Sequence, residues 1–212
     1  MSIHAPLRNA LGVCFLALFL ATEAFAGGGP FGIDHAVDKG DDRGLWARRN
    51  QLILQDGTAL FVIGSALWEG SESRFGQTAW KATDSILLGA ATAQVMKLAF
   101  SRARPAQGED PNLWFQGSGH RSFPSGEVME ITTAVTPFIL EYGAENPAVY
   151  GLALLPVYDA IARVRSRGHW QSDVLASLAI GSAIGYYAHS RQNALTLGVI
   201  PGGVWVGWSK RF

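Results

Sequence analysis

The apolar positions of this chain gather into five segments with helical character, at residues 52–68, 83–100, 127–142, 148–164 and 172–189. Two of them are crowded with small residues: Gly89-Ala90-Ala91-Thr92-Ala93, and the stretch from Ala176 to Ala183. Small faces let helices approach closely, in water or in lipid. Asp56, Asp84 and Asp159 interrupt three of the segments. Most uninterrupted apolar runs fall short of the roughly 18 residues that mark a membrane span. The pattern predicts a helical bundle, soluble or membrane-associated in preference to fully membrane-spanning. After residue 190 the period changes. Val204, Val206 and Trp208 alternate with Trp205, Gly207 and Ser209, beyond a Pro201-Gly202-Gly203 turn signal. This predicts a short β-hairpin within a tail at 191–212.

The start of the chain has a different logic. Arg8 precedes an apolar stretch at 11–21, and Ala24-Phe25-Ala26 offers small residues at the two positions a signal peptidase reads. Residues 1–26 are expected to be a cleaved signal peptide, with an uncleaved anchor as the alternative. The expected location is therefore the periplasm or the bacterial cell envelope. Residues 27–50 carry much glycine and charge and read as a surface lead-in to a helical domain at 51–190.

Composition narrows the picture. With 48% hydrophobic and 16% charged residues, the chain has ample apolar material for one packed domain, which argues against disorder. Formal net charge is zero, so nothing points to nucleic acid as a partner. An anion site must come from local basic clusters. The lone Cys14 falls inside the expected signal, which leaves the mature chain without thiol chemistry. No metal-ligand spacing stands out, and no cofactor is expected.

Three clusters carry chemistry. The first runs from Lys97 to Pro105. Lys97 and Arg104 are seven residues apart, close to two helical turns, which predicts both cations on one face, with Pro105 making Arg104 leave helical geometry. A lysine and a planar arginine suit a tetrahedral oxyanion. The second is Pro124-Ser125-Gly126-Glu127. Ser125 is expected to cap the following helix, and Gly126 to let backbone approach a ligand at its positive end. The third holds Arg163, Arg165, Arg167, His169 and Asp173. His169 and Asp173 are four apart, so a carboxylate can fix the imidazole tautomer and leave one nitrogen free to attack. Each cluster alone also has a plain structural reading, as a basic helix end, an N-cap or a satisfied His–Asp pair.

Taken in order, Lys-x6-Arg-Pro, Pro-Ser-Gly and Arg-x5-His-x3-Asp resemble the type 2 phosphatidic acid phosphatase (PAP2) superfamily, which also contains bacterial acid phosphatases and vanadium haloperoxidases. The resemblance covers about residues 80–190. It implies an all-α bundle with the motifs at helix ends around one pocket. It further implies that Lys97, Arg104 and Arg163 bind phosphate oxygens, with Ser125 and Gly126 adding a hydroxyl and backbone donors. His169 would attack phosphorus and become phosphohistidine, and Asp173 would orient it. The implied activity is hydrolysis of a phosphomonoester or pyrophosphate on a small or lipid-linked substrate, with no metal. Glu127 stands where the family has a histidine that protonates the leaving oxygen. Cations and a helix N-terminus favour its ionised form. His120 is near enough in sequence to take that role, though it also reads as an exposed loop residue. Two other readings stay open: a vanadium-dependent haloperoxidase, and a catalytically impaired phosphate- or lipid-binding protein.

Overall fold

A computed structural model describes residues 28–191 and the backbone of residues 195–200 and 203–208. The expected signal peptide lies outside the described residues. Five α-helices form the body: α1 (Arg48–Glu69), α2 (Arg74–Phe100), α3 (Gly126–Tyr142), α4 (Leu154–Arg165) and α5 (Gln171–Ser190). Two of them reach further toward the N-terminus than the apolar periodicity predicts. Helix α2 starts at Arg74 because Ser73 caps it, its side chain accepting from the Gly76 N–H at 3.0 Å. Helix α1 begins at Arg48, inside the segment that reads as a lead-in. The segment expected at 148–164 divides into a 3₁₀ turn, Pro147–Ala153, and then α4. Leu195–Ile200 and Gly203–Trp208 pair antiparallel, Leu195 opposite Trp208.

Helix α3 is the axis of the bundle and touches the other four helices. Its threonines are packed where glycines leave room. A Cβ at Gly181 would lie 2.9 Å from Cβ of Thr132, and one at Gly185 only 2.5 Å from Cβ of Thr136. The two glycines are one turn apart on α5, as are the two threonines on α3, so a glycine row meets a threonine row. The threonine hydroxyls are spent within the helix, Thr132 on the Val128 carbonyl at 2.6 Å and Thr136 on the Thr132 carbonyl at 2.7 Å. The main core lies among α1, α2 and α3, around Val62, Ala66, Ala82, Ile86, Ala134 and Phe138. A smaller one, Val128, Ala160 and Val174, joins α3, α4 and α5 at the end where the motifs meet.

The reading of 27–50 as surface is corrected at Asp34, which is buried and accepts from the backbone N–H of Ser172 at 2.7 Å. A buried charge needs a partner, and the chain supplies this one from a distant segment. Arg48, still partly exposed, reaches Glu127 on α3.

Candidate active site

Helix α2 does not run through Arg104. It ends at Phe100, where Ser101 takes a left-handed conformation (φ 39°), and the chain turns back. The expectation that Lys97 and Arg104 share one helix face is therefore wrong: Lys97 is in the last turn of α2 and Arg104 is on the loop beyond it. The two nonetheless lie close enough that Arg104 lowers the proton affinity of Lys97. Lys97 is buried and donates to the carbonyls of Arg121 (3.0 Å) and Pro124 (2.6 Å). Burial, then the Arg104 charge, brings its pKa down to about 8. Those two carbonyls belong to the loop leading into α3, so the ammonium also braces the Pro-Ser-Gly turn.

Ser125 stands at the N-cap of α3, but its hydroxyl makes no capping bond. This departs from the sequence expectation. The hydroxyl is buried and has no hydrogen-bond partner among the described residues. Its backbone is occupied instead: the Ser125 carbonyl accepts from Ser177 Oγ at 2.8 Å, which ties α3 to α5. A buried hydroxyl left unpaired at a helix N-terminus suits an incoming oxyanion. Gly126 opens the helix, and a Cβ there would sit 3.5 Å from Cε of Lys97, in ordinary contact.

Helix α4 ends in Arg163 and Arg165, and the chain then wraps back over that end. The N–H groups of Gly168 and His169 both donate to the Arg163 carbonyl, at 3.0 and 3.2 Å. A Cβ at Gly168 would fall 2.5 Å from the Arg163 guanidinium, so any larger residue there would displace it. The three arginines of this motif diverge. Arg165 lies over the Trp46 ring at 5.0 Å, and Arg167 donates to the Pro105 carbonyl and to Glu109. Arg163 alone turns toward the other motif residues. Its Nη1 donates to Gln51 at 3.0 Å, its Nε is 3.9 Å from Glu127, and that Nε has no hydrogen-bond partner among the described residues.

His169 is buried, with Nδ1 3.6 Å from Asp173 Oδ2. That separation is electrostatic contact rather than a formed hydrogen bond. Burial pushes the imidazole pKa down to about 4, outweighing the nearby carboxylate, and the charge of Arg163 adds to the fall. The ring is neutral at physiological pH, as a nitrogen nucleophile requires. Asp173 is held by more than its histidine. Its Oδ1 accepts from Arg102 at 2.6 Å, and Oδ2 from Ser122 Oγ at 2.5 Å and from the Trp170 N–H at 3.0 Å. Burial works against its charged form, but His169, Arg102 and Ser122 together hold its pKa below the usual carboxylate range.

Arg102 is the residue that sequence reasoning missed most completely. It is wholly buried and also donates to Asp34 Oδ2 (2.5 Å), to Ser172 Oγ (2.8 Å) and to the Pro111 carbonyl (2.6 Å), while its guanidinium lies 4.3 Å from the Trp114 ring. It sits between Lys97 and Arg104 in sequence, where nothing in the spacing separates it from its neighbours.

Glu127, in the first turn of α3, is held by the fork of Arg48: Nη1 donates to one carboxylate oxygen and Nη2 to the other at 2.9 Å. Burial favours its neutral form, but the Arg48 hydrogen bonds and the charges of Arg163 and Arg48 prevail and lower its pKa. The ionised state expected from sequence is reached, with Arg48 as the main reason. An ionised carboxylate has no proton to give at neutral pH. His120 is half-buried, its Nδ1 3.1 Å from the Gln116 carbonyl. Below Glu127, Asp159 of α4 is buried with both oxygens lacking hydrogen-bond partners among the described residues, and burial followed by the Glu127 charge raises its pKa to about 7. Among the described residues no cluster of His, Cys, Asp and Glu could hold a metal ion.

The helical fold and these three motifs define a family, and the sequence matches it directly: residues 78–197, more than half the chain, fit the model of the PAP2 superfamily. The chain belongs to the PAP2 superfamily. It is also similar to a lipid A 1-phosphatase from Porphyromonas gingivalis, at 33% identity over 91 residues. That match covers 42% of this chain and 18% of the relative, so the chain spans only a small part of the curated protein it resembles. No solved structure matches it.

Proposed function

We propose that this protein is an exported phosphohydrolase that cleaves a phosphate ester of a lipid-like substrate through a phosphohistidine intermediate. The observation that carries the reading is a pair of buried polar groups without hydrogen-bond partners among the described residues, Ser125 Oγ and Arg163 Nε, from two separate elements and both within the family's motifs. Native interiors rarely leave such groups unpaired without a functional cause.

In this reading Lys97, Arg104, Arg163, the Ser125 hydroxyl and the Gly126 N–H hold the phosphoryl oxygens. With Nδ1 turned to Asp173, the other ring nitrogen of His169 attacks phosphorus. The P–N bond forms as the P–O bond to the leaving group breaks, and the cations take up charge spread over the oxygens. Asp173 steadies the imidazolium-like ring that results. Water then attacks phosphorus, breaks the P–N bond and releases inorganic phosphate with a neutral histidine. The leaving oxygen takes its proton from water, because the Arg48 fork keeps Glu127 ionised. Arg48 also offsets the repulsion a bare carboxylate would exert on substrate.

A lipid-like substrate is supported by the similarity to a lipid A 1-phosphatase and by α1, which exposes Leu60, Phe61, Leu67 and Trp68. Among the described residues no helix is long and apolar enough to cross a membrane. Export rests on Arg8, the apolar stretch at 11–21 and Ala24-Phe25-Ala26. A mature N-terminus at Gly27 is the product this leader would give.

His169→Ala is expected to reduce turnover of nitrophenyl phosphate by at least a thousandfold with the helical circular dichroism unchanged. Rapid-quench trapping with labelled substrate should show an acid-labile phosphohistidine in the wild type only. Turnover by the alanine variant within tenfold of wild type would remove His169 as the nucleophile.

A further inference from the structure

Two side chains from the first turn of α1, Arg48 and Gln51, reach the motif residues, and both lie outside the 78–197 span that matches the family model. Arg48 holds Glu127. Gln51 is wholly buried, and both ends of its amide are engaged. Its Oε1 accepts from Arg163 Nη1 at 3.0 Å and from Arg48 Nη1 at 3.1 Å. Its Nε2 donates to the Trp46 carbonyl at 2.8 Å. These bonds fix which way the amide faces, since a flipped amide would turn its NH2 group on two guanidinium groups.

The bond to Gln51 decides which edge of Arg163 is left for a ligand. In a guanidinium Nη1 lies on the side of Cδ, so a bond there leaves the opposite edge, with the parallel N–H groups of Nε and Nη2. Such an edge can grip two oxygens of a tetrahedral anion. Arg163 is buried, and its Nε has no hydrogen-bond partner among the described residues. Glu127 Oε1 stands 3.9 Å from that Nε, beyond hydrogen-bond reach. An arginine has several rotatable bonds, and one held at Nη1 has its fork directed before the anion arrives. Gln51 does this without removing charge. A carboxylate in its place would pair with both arginines and cancel what they offer an anion, whereas an amide oxygen accepts from both and leaves each its full charge.

We infer that Gln51 is a positioning residue of the phosphate site, aiming the Nε edge of Arg163 at the bound oxyanion through a neutral acceptor shared with Arg48. The inference rests on the reading of Arg163 as a phosphate ligand. It gives the start of α1, and through the Trp46 carbonyl the segment before it, a part in substrate binding.

A double-mutant cycle tests it. Gln51→Met keeps the length of the side chain and removes the acceptor. The probe is inorganic vanadate, dilute enough to stay monomeric. Binding is read by calorimetry well below the thermal midpoint of each variant, with hydrolysis of nitrophenyl phosphate measured alongside. Gln51→Met should weaken vanadate binding by roughly tenfold or more, the range for a lost hydrogen bond to a charged group. Arg163→Lys keeps the charge but has no Nε–Nη2 edge to aim, so in that background Gln51→Met should cost less than about threefold. In an Arg104→Lys background, the control, the roughly tenfold loss should remain. Gln51→Glu is the second variant, should Gln51→Met fail to fold. It keeps an oxygen acceptor and adds a competing charge, and it should weaken vanadate binding as well. Unchanged affinity in Gln51→Met or Gln51→Glu, or an equal loss in the Arg163→Lys background, would overturn the inference and leave the phosphohydrolase reading standing if nitrophenyl phosphate is hydrolysed. Coupling of the expected size, with no hydrolysis of any ester, would uphold the role of Gln51 and sink the phosphohydrolase reading instead.

Discussion

At the scale of single residues, the candidate site is shaped by what burial does to its proton affinities. In the proposed mechanism His169 must be neutral to attack and Lys97 charged to bind, and burial pushes both pKa values down, to about 4 and about 8. The acid limb of kcat/KM should therefore fall near pH 4 rather than near the ordinary imidazole value of about 6.5. The alkaline limb should fall near pH 8, as the Lys97 ammonium is lost. A profile for an aryl phosphate, corrected for the ester's own ionisation near pH 6, checks both limbs. Lys97→Arg should move the alkaline limb upward out of the measurable range, because guanidinium stays protonated. A profile centred on an acid limb near pH 6.5 would mean that His169 is far more hydrated during turnover than its buried position allows. The motif residues were legible in the sequence because Lys, Arg, His and Asp at these intervals have few other uses together. Ser125 reads as a helix cap from its position and as a phosphate contact from the resemblance; its hydroxyl makes no capping bond and has no hydrogen-bond partner among the described residues.

Helices were legible because apolar period and small-residue content agree along the chain. Their ends were less so, since an end is decided by one or two residues. Helix α2 ends at Phe100, where the 83–100 segment is expected to end, but starts at Arg74, nine residues early, on the Ser73 cap. The glycine-rich face of α5 was readable as a packing surface, and its partners, Thr132 and Thr136, were not. That contact makes a prediction at the level of the helix pair. In an isolated helix Gly185→Ala would stabilise by about 1 kcal/mol. Against Thr136 Cβ at 2.5 Å, it should instead destabilise by about 1–3 kcal/mol, read as a fall of roughly 2–10 °C in the thermal midpoint. An unchanged or raised midpoint would show that α3 and α5 move apart at little cost.

Over the whole molecule, the motifs are joined by a buried charge network that the sequence did not display. Asp34, Arg102 and Asp173 come from three distant parts of the chain, and an ion pair across such distances leaves no local pattern. The same holds for Arg48 and Glu127, which lie 79 positions apart. Arg102→Met strands two carboxylates in the interior. It is expected to cost about 3–5 kcal/mol of stability at neutral pH, measured by urea unfolding. The sign of its pH dependence follows from Asp173. Its folded-state pKa is lowered, so the stability it contributes is present above the unfolded carboxylate value of about 4 and is lost as pH falls through the lower folded value. The gap between wild type and Arg102→Met should therefore narrow below about pH 4. A gap that stays constant to pH 3 would mean that the loss comes from packing against Trp114 rather than from charge.

The bond between Asp34 and Ser172 spans 138 positions. During synthesis the Asp34 segment emerges early and waits for nearly all of the remaining chain before its partner exists. Arg102, which bonds both Asp34 and Asp173, gains its full set of partners only when these three segments have met. Closure of this end of the bundle thus waits on most of the chain, and a chain stopped short of residue 172 leaves the Asp34 carboxylate without the backbone N–H and hydroxyl of Ser172.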